Sequence, residues 1–236
     1  MLDRKISDLV VENPRRARLF EQLKIDYCCH GATPLADACR ERGLDPQAIV
    51  RQIGDCDQRP GDRQIDWREK SLTELCDHIE QTHHQWLREA LPRVKGLLDK
   101  VVEAHHEQHP ELDDVAQTFA AMENELFPHM MKEERVLFPM IRQLEQATTL
   151  PQFHCGTVQN PIRVMHAEHE LVGEALARMR KLTGGFAPPE DACTTYRVLL
   201  DALVELEQDL HQHIHKENNL LFPRAAQLEH RLAGAT

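Results

Sequence analysis

The sequence predicts an all-α protein, an antiparallel up-down four-helix bundle preceded by a small helical N-terminal domain. Three observations predict it. From residue 71 onward, apolar residues recur in steps of three and four over long stretches, the spacing that lines one face of a helix. Connections rich in Gly and Pro separate these stretches, so successive helices turn back on one another. The bundle also repeats itself. H-M-M-K-E-E-R-V-L-F-P at 129–139 returns at 213–223 as H-I-H-K-E-N-N-L-L-F-P, with six of eleven positions identical at an offset of 84. In each copy a His and a Glu four residues apart share one helix face, one turn from each other.

At 236 residues the chain can bury one large core or two unequal ones. Its formal charge of −11, without clusters of Lys and Arg, argues against nucleic acid and anionic membranes as partners. No apolar run reaches the roughly 18 residues of a membrane-spanning helix, and the N-terminus M-L-D-R-K lacks the apolar h-region of a signal peptide. Seven cysteines without a dense framework predict reduced thiols in a cytoplasm. Fifteen histidines point toward metal.

The expected divisions are an N-terminal domain over 1–56, a linker over 57–70 and the bundle over 71–232. In the first, Ile6, Leu9 and Val10, then Leu19, Phe20 and Leu23, then Leu35, Ala38 and Cys39 form short helical patterns punctuated by Pro14 and Pro34. A unit this small needs support, either from the rest of the chain or from a second copy in a homodimer. It holds the vicinal pair Cys28 and Cys29, followed by His30 and Gly31. Two readings stand side by side: a redox or transient metal-binding thiol group, or small buried hydrophobes. The adjacent spacing does not suit a structural zinc site. The polar stretch 54–62 has turn residues and no periodicity, so it reads as linker.

Ser71 and Glu74 form a capping-box pattern that starts the first bundle helix, with Leu87, Leu91, Val94 and Leu98 as its stripe and Pro92 as a site for a bend. Pro110 and Glu111 open the second. Its seam reads Phe119, Met122, Leu126, His129, Glu133, Val136, Met140, with kinks expected near His129 and at the distal end from Pro128 and Pro139. Asn160 and Pro161 read as N-cap and first residue of the third, whose seam is Ile162, Met165, His169, Val172, Leu176, Met179, ending at Gly184 and Gly185. The fourth carries Leu203, Leu206, Leu210, His213, Glu217, Leu220. Two helical hairpins, 71–146 and 161–230, are thus related by duplication.

Polar side chains on a core seam are costly to bury unless they are paired or bind metal. Here the seams hold His129, Glu133, His169, His213 and Glu217, with no Lys or Arg among them. On the first helix His83 and His84 both neighbour Leu87, and periodicity leaves them open. The duplication separates them: His169 to His213 is 44 residues, against 45 from His84 to His129 and 46 from His83. The closer match selects His84. His105 lies 21 residues beyond His84, roughly 30 Å along a helix, too far to share a cluster. His211 and His215 flank His213 on other faces and read as solvated or supporting residues, and His78, His154, His166 and His230 as ordinary surface or core histidines. The expected metal set is His84, His129, Glu133, His169, His213 and Glu217. His84 completes the first hairpin's half-site and His169 the second's. Imidazole and carboxylate without thiolate suit iron or manganese, and each Glu can bridge a metal pair.

The order Cys28-Cys29 within I-D-Y-C-C-H-G, His84, H129-M-M-K-E133-E, M165-H-A-E-H169-E and H213-I-H-K-E217-N-N-L-L-F-P resembles the repair-of-iron-centres family. Its members are hemerythrin-like di-iron proteins with an ScdA-type N-terminal domain. The resemblance covers nearly the whole chain. It implies a cytoplasmic protein with two non-haem irons, oxo- and carboxylate-bridged, held at the matched His and Glu positions. The implied role is repair of iron–sulfur proteins damaged by nitrosative or oxidative stress, by donating iron or removing NO, with Cys28 and Cys29 assisting transfer or reduction. Two other functions need the same cluster: an enzyme reducing NO, and a module that binds or senses O2 or NO. His30 stands where the family commonly has glycine, and the connection 149–159 is longer than usual.

Overall fold

A computed structural model describes residues 1–58 and 65–234. Among them are eight helices and no strand: α1 Ile6–Glu12, α2 Arg16–Gln22, α3 Leu35–Glu41, α4 Pro46–Gln58, α5 over 72–105, α6 over 111–146, α7 Gln159–Leu182 and α8 over 194–234. The last four form the bundle, with α6 packed on α7 and α5 packed on both α6 and α8.

Two apolar layers fill the bundle. One contains Leu87, Leu91, Phe119, Leu126, Val172 and Leu210, and the other Leu75, Ile79, Leu137, Phe138, Met165 and Leu221. Along every bundle helix, the predicted metal residues fall between the two layers. The polar positions therefore form a cross-section of the core, enclosed at both ends by burial that drives folding on its own account.

Helix ends follow their sequence signals in most places. Ser71 closes its capping box with Glu74, and the backbone N–H groups of Leu72 and Thr73 donate to Glu145 at the far end of α6, at 2.6 and 2.9 Å. Gly184 and Gly185 take φ of 60° and 90° after α7, which only glycine adopts without strain. At the start of α7 the expectation differs from the structure. The helix begins at Gln159, one residue before Asn160. The Asn160 amide instead donates to the carbonyl of Cys155, and Glu229 of α8 accepts the Val158 N–H at 2.8 Å. Glu145 and Glu229 stand at the same offset of 84. A carboxylate from the second helix of each hairpin thus caps the first, a part of the repeat that motif matching missed.

Three bundle helices contain a π-helical turn: Ile79–His84 in α5, Glu133–Leu137 in α6 and Glu217–Leu221 in α8. This corrects the seam of α6. Val136, expected inside, is 44% exposed, and Leu137 is buried in its place. A π turn holds more residues than an α turn, so the inward position after Glu133 falls four residues on rather than three. Pro139 and Pro223 stand two residues beyond the turns of α6 and α8 and lack the N–H that an α-helix would use there. The α segment 111–132 continues through Pro128, so the departure lies after His129 and not at Pro128.

The N-terminal helices enclose their own core of Ile6, Leu9, Phe20, Tyr27, Leu35 and Ile53. α4 continues through Gln58, which corrects the linker reading for 54–58. The Asp57 carboxylate receives the Arg16 guanidinium at 2.6 Å and the Asn13 amide at 2.7 Å, fixing the last turn. Residues 59–64 of the expected linker lie outside the described residues. The unit docks on its own bundle: Cys28 joins the bundle core, and its carbonyl accepts from Asn219.

Candidate metal centre

α5, α6, α7 and α8 bring His84, His129, Glu133, His169, His213 and Glu217 into one buried cluster. The two rings of each imidazole pair approach through Nε2. His84 and His213 are 3.2 Å apart, as are His129 and His169. Two imidazole nitrogens bound at right angles to one ion at about 2.1 Å would be roughly 3 Å apart, so each pair fits a single cation. The carboxylates lie between the pairs. Glu133 Oε2 is 3.3 Å from His84 Nε2 and 3.4 Å from His129 Nε2. Glu217 offers Oε1 to His213 at 3.1 Å and Oε2 to His169 at 3.2 Å.

The cluster therefore divides into His84, Glu133, His213, Glu217 and His129, Glu133, His169, Glu217, with both carboxylates common to the two groups. This differs from the expected half-sites. Neither hairpin holds a group of its own, because α5 lies against α8 and α6 against α7. Each pair of imidazoles joins the first hairpin to the second.

The electrostatics fit cations. Both oxygens of Glu133, and Oε2 of Glu217, are buried without a hydrogen-bond partner. Two such carboxylates would be expensive to keep charged in a core without positive charge. Burial lowers the pKa of His84, yet Glu133 and Glu134 raise it to about 9. His169 likewise rises to about 9, against its burial, beside Glu217. Without metal, protons on these rings supply positive charge that bound cations would replace.

Outward from the rings, Nδ1 of His84 donates to Glu134 at 2.7 Å, Nδ1 of His129 to Glu168 at 2.7 Å and Nδ1 of His169 to Asn218 at 2.8 Å. A proton held at Nδ1 leaves Nε2 free to face inward as a ligand atom. None of these partners was among the expected site residues. Two signals could have found them. Glu134 and Asn218 share the offset of 84, and Glu168 immediately precedes a seam His.

The other histidines serve elsewhere. His83, the alternative to His84, is buried but outside the cluster, bonded to Asp209 at 2.8 Å and Lys216 at 2.6 Å. Its ring stacks on that of His213, with centroids 5.3 Å apart. Burial and Lys216 depress its pKa to about 3. His105 sits beside Tyr196 and His109, away from the cluster. His215 contacts the carbonyl of Tyr27, and His78 stacks on Trp67. The thiols Cys28 and Cys29 lie where the N-terminal unit meets α7, with Cys29 Sγ 3.6 Å from the carbonyl oxygen of His169.

Comparisons with known proteins place a cation-binding domain over the same helices. Residues 77–225 match the hemerythrin HHE cation binding domain, and residues 2–57 match the ScdA N-terminal domain, a domain of unknown function. The iron-sulfur cluster repair protein YtfE of Edwardsiella ictaluri is 40% identical over 94% of this chain and 96% of its own length. Proteins of the same name from Pectobacterium atrosepticum and Escherichia coli are 38% and 35% identical over the same shares. With a cation-binding bundle behind an ScdA-type unit, and this likeness along nearly its whole length, the chain belongs to the YtfE family of iron-sulfur cluster repair proteins.

Proposed function

We propose that this protein repairs iron–sulfur clusters damaged by nitrosative or oxidative stress, holding two irons at His84, His129, Glu133, His169, His213 and Glu217. The observation that carries the reading is the pair of buried carboxylates between two imidazole pairs, with both oxygens of Glu133 and Oε2 of Glu217 lacking a hydrogen-bond partner. The relatives' name, iron-sulfur cluster repair protein, supplies the class of client. Bound there, iron would supply redox chemistry and affinity for NO and O2. The protein's part is to present six ligand atoms, hold the Nδ1 protons of three rings through Glu134, Glu168 and Asn218, and keep the layer dry between two apolar ones. Iron is then also the cargo, given to a damaged cluster, or the means by which NO is drawn from it, with Cys28 and Cys29 assisting.

The setting we infer is the cytoplasm, supported by seven cysteines that are all free thiols. Among the described residues no helix is long and apolar enough to cross a membrane.

The test is iron content and repair together. Purified protein is expected to carry two irons per chain and to reactivate a dehydratase whose cluster has been damaged by NO. A Glu133→Leu/Glu217→Leu variant should lose both. Full reactivation by that variant, free of iron, would overturn the reading.

A further inference from the structure

Apart from the bundle centre, one group of metal-ligating side chains stands out among the described residues: Asp26, Cys28 and Cys29. It lies in a crevice of about 910 Å³ between the N-terminal unit and α7. Cys28 is buried and Cys29 partly exposed. Their sulfurs are 3.8 Å apart, hydrogen-bonded thiol to thiol and not joined in a disulfide. Two thiolates on one tetrahedral ion, each at about 2.3 Å, would also be roughly 3.8 Å apart. Adjacent cysteines usually point apart, and here the backbone brings them together. Asp26 Oδ1 accepts the N–H groups of both cysteines, at 2.9 and 3.0 Å, and lies 3.2 Å from Cys28 Sγ. One turn thus aligns two sulfurs and a carboxylate oxygen.

His30 donates from Nδ1 to Asp26 Oδ2 at 2.7 Å and is otherwise mostly exposed. Lys24 and Arg42 line the same crevice.

Access links this group to the bundle. Cys29 Sγ touches the carbonyl of His169, whose ring belongs to the metal centre. A side chain at Gly173, one turn along α7, would begin 3.4 Å from the same sulfur. An added Cβ there would stand at the edge of ordinary van der Waals contact with the sulfur.

We propose that Asp26, Cys28 and Cys29 form a mononuclear ferrous-ion site, open on its fourth side to an exchangeable ligand from the crevice. Iron passes through it between the bundle and the client. Binding is an exchange without electron transfer: Fe²⁺ takes two thiolates and one carboxylate, and the two thiol protons leave to solvent. The identity of the metal rests on the reading of the protein as an iron donor. The three-ligand geometry does not.

Cobalt(II) tests the site, since its bonds to thiolate absorb light and its bonds to imidazole and carboxylate do not give that charge-transfer band. Full-length, iron-loaded protein is titrated with cobalt under anaerobic conditions with a thiol-free reductant. One equivalent should develop the thiolate band and protect two thiols from alkylation. Cys28→Ser and Cys29→Ser should each abolish the two-thiolate spectrum, and Asp26→Asn should weaken binding by about tenfold or more. A wild type without the band, or a band that survives both Cys substitutions, overturns the proposal. Iron content of the same samples reads the bundle separately. A band in protein whose bundle takes no iron supports the thiol site and counts against the donor reading alone.

Discussion

Glu134, Glu168 and Asn218 touch none of the inward-facing ligand atoms, yet they decide which nitrogen of three rings faces inward. Removing such a partner frees the ring to rotate and lowers its basicity, at a typical loss of ten- to a hundredfold in metal affinity. Glu168→Ala is therefore expected to lose iron to a competing chelator at about ten- to a hundredfold lower chelator activity than wild type. His106→Ala, on the exposed turn beyond α5, should behave as wild type. The six inner residues were legible in the sequence because a polar residue on an apolar stripe is conspicuous. Their outer partners were not, because Glu134 and Glu168 read like ordinary charges on a solvated helix face. Only the position of a neighbouring helix turns such a charge into an anchor. His213 is the exception among the rings: its Nδ1 is buried without a hydrogen-bond partner. In the repeat, His83 stands where the other half has Glu168, and Lys216 matches Lys132. Lys132 pairs with Glu168, whereas Lys216 bonds His83.

At the scale of the helix, the order and length of the four bundle elements could be read from period and punctuation. Their inner faces could be read only as far as the metal residues. Beyond Glu133 the α period places Val136 inside, and the π turn places Leu137 there. The two predict opposite mutational results. Val136→Ser should change stability by no more than about 0.5 kcal/mol, as for an exposed position. Leu137→Ala should cost about 2–5 kcal/mol in denaturant unfolding. Equal effects would refute the register of the turn. The capping carboxylates make a second prediction at this scale. Glu145 and Glu229 each hold the first turn of the preceding helix from a distant position in sequence. Glu145→Ala should cost about 1–3 kcal/mol by leaving two backbone N–H groups without their acceptor. Sequence reading favours Ser71 and Asn160 as caps because local motifs are visible and long-range ones are not.

For the molecule as a whole, stability and metal are coupled through protons. In the metal-free chain His84 and His169 have pKa values of about 9, against about 6.5 when unfolded. The stability from their charged forms is complete below pH ~6.5 and drains away as pH rises through ~9. His78, His83 and His215, depressed by burial to about 3, 3 and 4, act at the other side. They resist protonation in the fold, so stability falls as pH drops below about 6.5. The melting temperature of the metal-free protein is expected to be highest near pH ~6.5, at the crossing of the two trends. Saturation with iron should flatten the alkaline side, since metal then replaces the imidazole protons. An alkaline side that is equally steep with iron bound would refute that exchange.

The interlocked arrangement of the two halves also carries a history. Each imidazole pair takes one ring from each hairpin, and the two shared carboxylates come one from each. A single hairpin of this kind, before duplication, could have assembled the centre only by meeting its twin across a two-fold axis. By that logic, two identical hairpins related by a two-fold axis would build two equivalent groups of ligands. Within one chain the two hairpins can differ, and the contrast between His83 and Glu168 is a difference that an identical pair could not hold.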